Sequence, residues 1–150
     1  MARILMITLI LSVTIGCNPD SGAEGTNNKN DVEYTQVRTN TLDQQASNHI
    51  KEKLSENNEV TAIYAVNTAK TIVVAMEFHQ IKQLQLPKLR KKYTTKIEEM
   101  YPNHKVEVST DQKLIFELER LEEKIDKNDI SQKKLKKEIK DLTKLMKEKT

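Results

Sequence analysis

The chain has no tryptophan, a single cysteine and only three glycines among its 150 residues. One cysteine excludes an internal disulfide bond. The glycines are Gly16, Gly22 and Gly25, so the rest of the chain has no glycine-rich phosphate loop and must build its turns from Asn, Asp and Lys. Two Phe and four Tyr leave Ile, Leu, Val and Met to form the core. The 25 basic and 22 acidic residues nearly balance, which argues against a dedicated nucleic-acid binder.

The N-terminus has the pattern of a secretory signal. Met1-Ala2-Arg3 is basic, residues 4–13 are almost entirely apolar, and a small residue, Gly16, precedes Cys17. The apolar stretch is too short to cross a bilayer comfortably. Ile15-Gly16-Cys17 resembles the lipobox of bacterial lipoproteins, and this resemblance implies cleavage before Cys17 and diacylglycerol on its sulfur. The alternative is an ordinary secretory signal with a cysteine near its end.

Two or three acyl chains on one residue are enough to hold a small domain stably at a membrane, whereas one chain is not. We therefore expect a membrane-anchored, extracytoplasmic protein in four segments. Residues 1–16 form a lipoprotein signal peptide and residues 17–40, rich in Asn, Gly, Ser and Thr, form a flexible tether. Residues 41–127 form an α+β domain, and residues 128–150 form a basic amphipathic helical tail.

The domain alternates helical and strand patterns. A capping box at Thr41–Gln44 predicts a helix that ends near Ser55. Two β-branched runs, residues 60–67 and 71–78, predict a hairpin. A helix should start at Pro87, and a strand is predicted over residues 105–108. A second capping box at 109–112 leads into a further helix.

The alternation also predicts which strand residues share a face. Ile72, Val74, Met76 and Phe78 should face the same way as the matching set Val60, Ala62, Tyr64 and Val66. The order α-β-β-α-β-α then predicts a small three-stranded sheet with helices packed on one face.

The strand sequences resemble a known family. The stretch from Val60 to Ala69, the strand Thr71 to Met76 and the stretch from Tyr101 to Asp111 are similar to the YhcN/YlaJ-type sporulation lipoproteins, over about residues 42–125. The resemblance implies one small domain like the BON or ring-building α/β modules. It also implies a spore membrane lipoprotein connected with germination or spore maturation, with no catalytic residues.

The lysine-rich tail permits two structures. Its apolar stripe of Leu135, Ile139, Leu142 and Met146 continues the register of the preceding helix. One helix of about 60 Å could therefore run from Thr110 to the end, suited to a coiled coil, or the chain could break near Asn128-Asp129 into a helical hairpin, which Asp129-Ile130-Ser131 favours. The tail could cover its own domain, meet an anionic lipid surface or pair with a protein partner or second copy. Nucleic acid is not expected, because the tail has no aromatic residue to stack on a base.

No catalytic chemistry is predicted. His49, His79 and His104 lie far apart in the sequence, so we expect no metal site. A helix cap explains Asp111, an outward strand position explains Glu107, and Ser109 lacks a histidine partner. We expect no enzyme and no cofactor. Two functions remain: a non-enzymatic interaction module of the spore envelope, or a general envelope lipoprotein that binds a small ligand or cell-wall fragment, which a concave pocket would favour.

Overall fold

The computed structural model describes residues 32–148, so the signal peptide, Cys17 and most of the predicted tether lie outside the described residues. The described part is an α+β fold, as predicted, with the elements in the expected order. They are α1 (Gln45–Ser55), β1 (Val60–Asn67), β2 (Thr71–Phe78), a 3₁₀ helix (Gln80–Gln85), α2 (Leu86–Met100), β3 (Lys105–Ser109), α3 (Gln112–Asp126) and α4 (Gln132–Glu148).

The sheet has the order β1-β2-β3, with β2 in the centre. β1 and β2 form the predicted antiparallel hairpin, whereas β3 pairs parallel to β2. A parallel pair needs a crossover connection, and the 3₁₀ helix with α2 supplies it. Pro87 lies in the first turn of α2, where its missing N–H leaves no hydrogen bond unmade.

The predicted face of β1 was right for Val60 but wrong beyond it, because a bulge shifts the register between Val60 and Ala62. A bulge adds one residue to one strand, so every later side chain changes face. Ile63 and Ala65, not Ala62 and Val66, therefore lie on the face of Ile72 and its companions. Tyr64 and Val66 point to the other side of the sheet.

Helices cover both faces of the sheet, not one. On the first face, α1 and α2 pack over Ile72, Val74 and Met76. On the second, α3 and α4 pack over Val73 and Ala75. β2 is apolar at consecutive positions, which is the pattern of a strand buried on both sides. The molecule thus has three layers with two cores.

Two predicted helix starts change. α1 begins at Gln45 and its Gln44 cap makes no side-chain cap bond, so the Thr41–Gln44 capping box does not form. Instead Asn67, at the end of β1, accepts from the Ser47 N–H in the first turn of α1. Ser109 is the last residue of β3, and the cap of α3 is Asp111, which accepts from Lys113 N and Leu114 N.

The segment 32–40 is packed against the domain, although its composition had placed it in the tether. Val32, Tyr34 and Val37 are buried. Glu33 pairs parallel with Ala62, so this segment runs beside β1. Three apolar side chains spaced among polar ones were enough to order it, and the tether boundary at Asn40 was therefore placed too late.

The C-terminal region is a helical hairpin, not one long helix. Asn128 has φ 54°, in the left-handed region that asparagine tolerates better than most residues. Asp129 N donates to Lys124 O, and Asn128 N donates to Ile125 O, which together form a Schellman motif at the end of α3. α4 then folds back, and Leu135 and Ile139 are buried in the same core as α3. The tail is an integral part of the fold.

This turn yields a testable prediction. Asn128→Ala should lower the free energy of unfolding by about 1–2 kcal/mol, because alanine adopts a left-handed backbone only at that cost. The Asn128 side chain also accepts hydrogen bonds from Thr39 and Thr41 hydroxyls. Asn128→Gly loses the same contacts but accepts the backbone angle, and is the matched control. Equal losses for both variants in urea unfolding would contradict the backbone explanation.

Candidate functional site

The two ends of the sheet differ in chemistry. One end, which we call the turn end, contains the β1–β2 turn (residues 68–70) and the start of β3. At the other, the Val60 end, β1 begins opposite Phe78 and the N-terminal segment joins the sheet through Glu33 and Ala62. Eight residues of β1 separate the two ends, a distance of roughly 25 Å.

A groove of about 690 Å³ lies at the turn end, between α4, the β1–β2 turn and the start of β3. Six lysines line it, and we call it the lysine groove: Lys70, Lys105, Lys136, Lys140, Lys144 and Lys147. Four of them come from α4 at spacings of three or four residues, so they form one stripe along that helix. Asp141 is the only acidic residue in the lining.

The positive charge of the lysine groove is only partly neutralised. Lys105 pairs with Glu107 at 2.6 Å, and Lys144 lies 3.8 Å from Glu148. Asp141 is bound by Lys137, which stands outside the groove, at 2.9 Å. Within residues 32–148, the other four lysines of the groove have no carboxylate within salt-bridge distance. The groove is suited to a ligand that carries several negative charges.

A second cavity, of about 480 Å³, adjoins the groove and shares Thr68, Ala69 and Lys136 with it. We call it the polar cavity. His49 and His104 both line it, on either side of Tyr101. His49 Nδ1 lies 2.9 Å from the Tyr101 hydroxyl, and the His104 ring meets the Tyr101 ring edge-on at 5.7 Å. Partial burial raises the pKa of Tyr101, so its hydroxyl stays protonated at neutral pH.

Two histidines that are far apart in the sequence are thus brought together, which sequence reasoning missed. His79 is not with them; it lies at the Val60 end, where its N–H donates to Glu59 O. Among the described residues, no three His, Cys, Asp or Glu side chains are arranged to hold a metal ion. The lysines of α4 were predicted, but their juxtaposition with Lys70 and Lys105 was not.

The other polar residues weighed in the sequence have structural partners. Asp111 caps α3 and Glu107 pairs with Lys105. The Ser109 hydroxyl oxygen accepts from Asp111 N at 3.1 Å. These contacts tie the start of α3 to the end of β3. All three residues line a further cavity of about 970 Å³, beside α2 and the end of α4, but each has a partner in the local structure.

One charged pair is fully enclosed. Lys51 of α1 and Glu122 of α3 form a salt bridge of 2.8 Å, with side-chain exposures of 0% and 6%. Lys51 also donates to Thr35 O, and Glu122 Oε1 accepts from Ala65 N at 2.7 Å. Burial raises the pKa of Glu122, and Lys51 opposes that rise. The pair joins both helix layers and the N-terminal segment to β1, and it opens into neither cavity.

The family model of the sporulation lipoprotein YhcN/YlaJ matches residues 15–147, nearly the whole chain. The chain belongs to this family. The match extends the resemblance seen at residues 42–125 in both directions, to Cys17 on one side and through α4 on the other. No curated protein and no solved structure matches the chain.

Membership of the sporulation lipoprotein family makes this a spore-related lipoprotein and agrees with anchoring to a membrane through lipid. Cys17, the predicted attachment residue, lies outside the described residues. None of the helices within residues 32–148 is both long enough and apolar enough to span a membrane. The inclusion of α4 in the family match agrees with its place in the second core, where it supplies most of the lysine groove.

Proposed function

We propose that the protein is a non-catalytic binding module of the spore envelope, held to the outer side of a spore membrane by acyl chains on Cys17. Its role would be in spore maturation or germination. The family match supports the anchor, because it includes Gly16-Cys17. The use of Asp111, Glu107 and Ser109 in local structure supports a binding role over catalysis.

The observation that carries the proposal is the lysine groove, in which six lysines face one acidic side chain. Its ligand on this proposal is an anionic polymer of the wall or cortex. The groove lies at the turn end, whereas the N-terminal segment that leads to Cys17 joins the domain at the Val60 end. A protein anchored from the Val60 end can present the groove away from its membrane, toward such a polymer.

The test removes equal charge from two faces of α4. Lys140→Gln, Lys144→Gln and Lys147→Gln together should weaken binding of the full-length mature protein to polyglutamate about 100-fold, since each lysine near an anionic surface contributes on the order of 1 kcal/mol. Lys133, Lys134 and Lys137 lie on the same helix but do not line the groove. Their triple glutamine variant is the control and should retain most of the affinity. Added salt should weaken the wild-type interaction.

The measurement is titration calorimetry in neutral detergent, with purified cortex peptidoglycan as a second ligand. Equal losses for the two triple variants would contradict a specific groove. The proposal would also be contradicted if the groove triple variant lost affinity for phosphatidylglycerol vesicles but not for either polymer, because the groove would then face lipid.

The polar cavity favours a second candidate, the binding of a small wall fragment. It is concave and brings the side chains of His49, Tyr101 and His104 together beside Lys136, an arrangement able to orient a small anionic sugar or peptide. In this case small muropeptides should raise the unfolding temperature of the wild type, and Tyr101→Phe should reduce that rise. A rise given by polymers alone would favour the first function.

A further inference from the structure

The 3₁₀ helix Gln80–Gln85 exposes apolar side chains that the fold does not use. It contains no buried residue. Ile81 is 85% exposed and Leu84 is 99% exposed. Side chains at positions i and i+3 eclipse each other in a 3₁₀ helix, so these two project together on one side. A single exposed leucine on a surface needs no explanation, but a projecting pair on an otherwise unburied turn does.

The sequence around this 3₁₀ helix is basic, although Glu56 and Glu59 line the same surface cleft as Ile81. Between His79 and Ile97 the chain carries six Lys or Arg residues and no Asp or Glu. Lys88 and Lys91 are exposed in α2, soon after the 3₁₀ helix, whereas Lys92 is paired with Glu59 at 2.5 Å. Segments that lie in the surface of an anionic membrane contain apolar side chains flanked by lysines. The apolar groups enter the acyl boundary and the lysines contact the headgroups.

The position of the 3₁₀ helix in the fold agrees with a membrane as its partner. The 3₁₀ helix follows Phe78 and therefore lies at the Val60 end of the sheet. His79 N donates to Glu59 O there, and Glu59 immediately precedes β1. The N-terminal segment reaches the same end, because Glu33 pairs parallel with Ala62 and the chain before it continues past Val60. Residues 17–31 can span at most about 50 Å, so an acyl group on Cys17 limits how far this end can move from the membrane.

We infer that Ile81 and Leu84 insert into the surface of the membrane that carries the lipid anchor, which fixes the domain with its Val60 end toward the bilayer. This orientation rests on the proposed lipid at Cys17. It goes further, because a lipid on a tether alone would leave the domain free to rotate. With the 3₁₀ helix inserted, the lysine groove faces away from the membrane.

The lack of tryptophan in the chain allows a direct test. Leu84→Trp places a single fluorophore on the turn, and Ile81→Trp repeats the test three residues earlier. Ala69→Trp is the matched control, because Ala69 is exposed between β1 and β2, at the opposite end of the sheet. Each acylated full-length variant is reconstituted into phosphatidylglycerol–phosphatidylethanolamine vesicles, some of which contain brominated acyl chains. Flotation is measured on the same samples.

We expect the emission of the Leu84→Trp and Ile81→Trp variants to shift to shorter wavelength and to be quenched by brominated lipid, and the Ala69→Trp emission to do neither. If the Leu84→Trp and Ile81→Trp variants float with the vesicles but are not quenched, the inference is overturned and the lipid anchor stands. A wavelength shift without quenching would point to a protein partner and would also overturn the inference. Equal quenching at position 69 would refute a fixed orientation. Failure of all variants to float would instead refute the anchor, and the inference with it.

Discussion

Replacing Lys51 with methionine should lower the free energy of unfolding by about 3–5 kcal/mol, because the change leaves Glu122 as a buried carboxylate without its cation. The two side chains are almost completely enclosed, so water cannot replace the lost partner. Methionine fills nearly the same volume, which separates the electrostatic effect from that of a cavity. A loss of this size is a large share of the stability of a small domain.

The loss should depend on pH in a defined direction. Burial raises the pKa of Glu122 above its ordinary value of 4.5, and Lys51 opposes that rise. Without Lys51 the folded state holds the proton to a higher pH, whereas the unfolded chain still releases it near the ordinary value. Stability that depends on this proton is present below the unfolded pKa and is lost as the pH rises through the folded pKa. Urea unfolding should therefore show a smaller loss near pH 4 than near pH 7.

Two further variants control this experiment. Lys53→Met removes a lysine from the same helix, but its partner Glu56 is about half exposed, so the unfolding midpoint should hardly move. Lys51→Met combined with Glu122→Gln removes both charges and keeps an oxygen to accept from Ala65 N. This double variant should recover much of the lost stability. If Lys53→Met were as harmful as Lys51→Met, the explanation by burial would fail.

Replacing Cys17 with alanine should abolish stable membrane association, because no acyl chain can then be attached. Within residues 32–148 there is no membrane-spanning helix to substitute for the anchor, and insertion of Ile81 and Leu84 alone is too little buried apolar area to hold the protein through washing. The measurement is fractionation of cells, with mass spectrometry of the mature chain. Asn18→Ala, one residue later, should fractionate as the wild type does. An unlipidated Cys17, or an alanine variant that stays in the membrane fraction, would reject the anchor.

The elements were predictable because their signals are local. Runs of β-branched residues located both hairpin strands, alternation located β3, and Pro87 located the first turn of α2. The bulge at Val60–Ala62 was not predictable, since it depends on how β1 meets β2 and not on β1 alone. That helices cover both faces of the sheet could have been predicted, because consecutive apolar residues from Ile72 to Met76 are typical of a strand buried on both sides.

The candidate site was predictable only in part. The stripe of lysines on α4 can be read from their spacing, but Lys70 and Lys105 join it through the packing of α4 on the sheet. His49 and His104 converge through the packing of α1 beside the end of α2. The Lys51–Glu122 pair did leave a signal: each residue falls on the apolar stripe of its own helix, Lys51 beside Ile50 and Leu54, and Glu122 between Leu121 and Ile125. Opposite charges at two such positions indicate a pair.

The segment from Val32 enters the sheet at the end opposite the lysine groove, and this arrangement gives the domain a mechanical axis. With the proposed polymer held in the groove, movement of the membrane away from that polymer would put tension along β1 and β2, from one end of the sheet to the other. Force in that direction must shear the inter-strand hydrogen bonds together, whereas a pull across the strands would open them one after another. If the proposed anchor and ligand hold, the domain would therefore resist stretching between a bilayer and a wall in the direction in which such stretching would act.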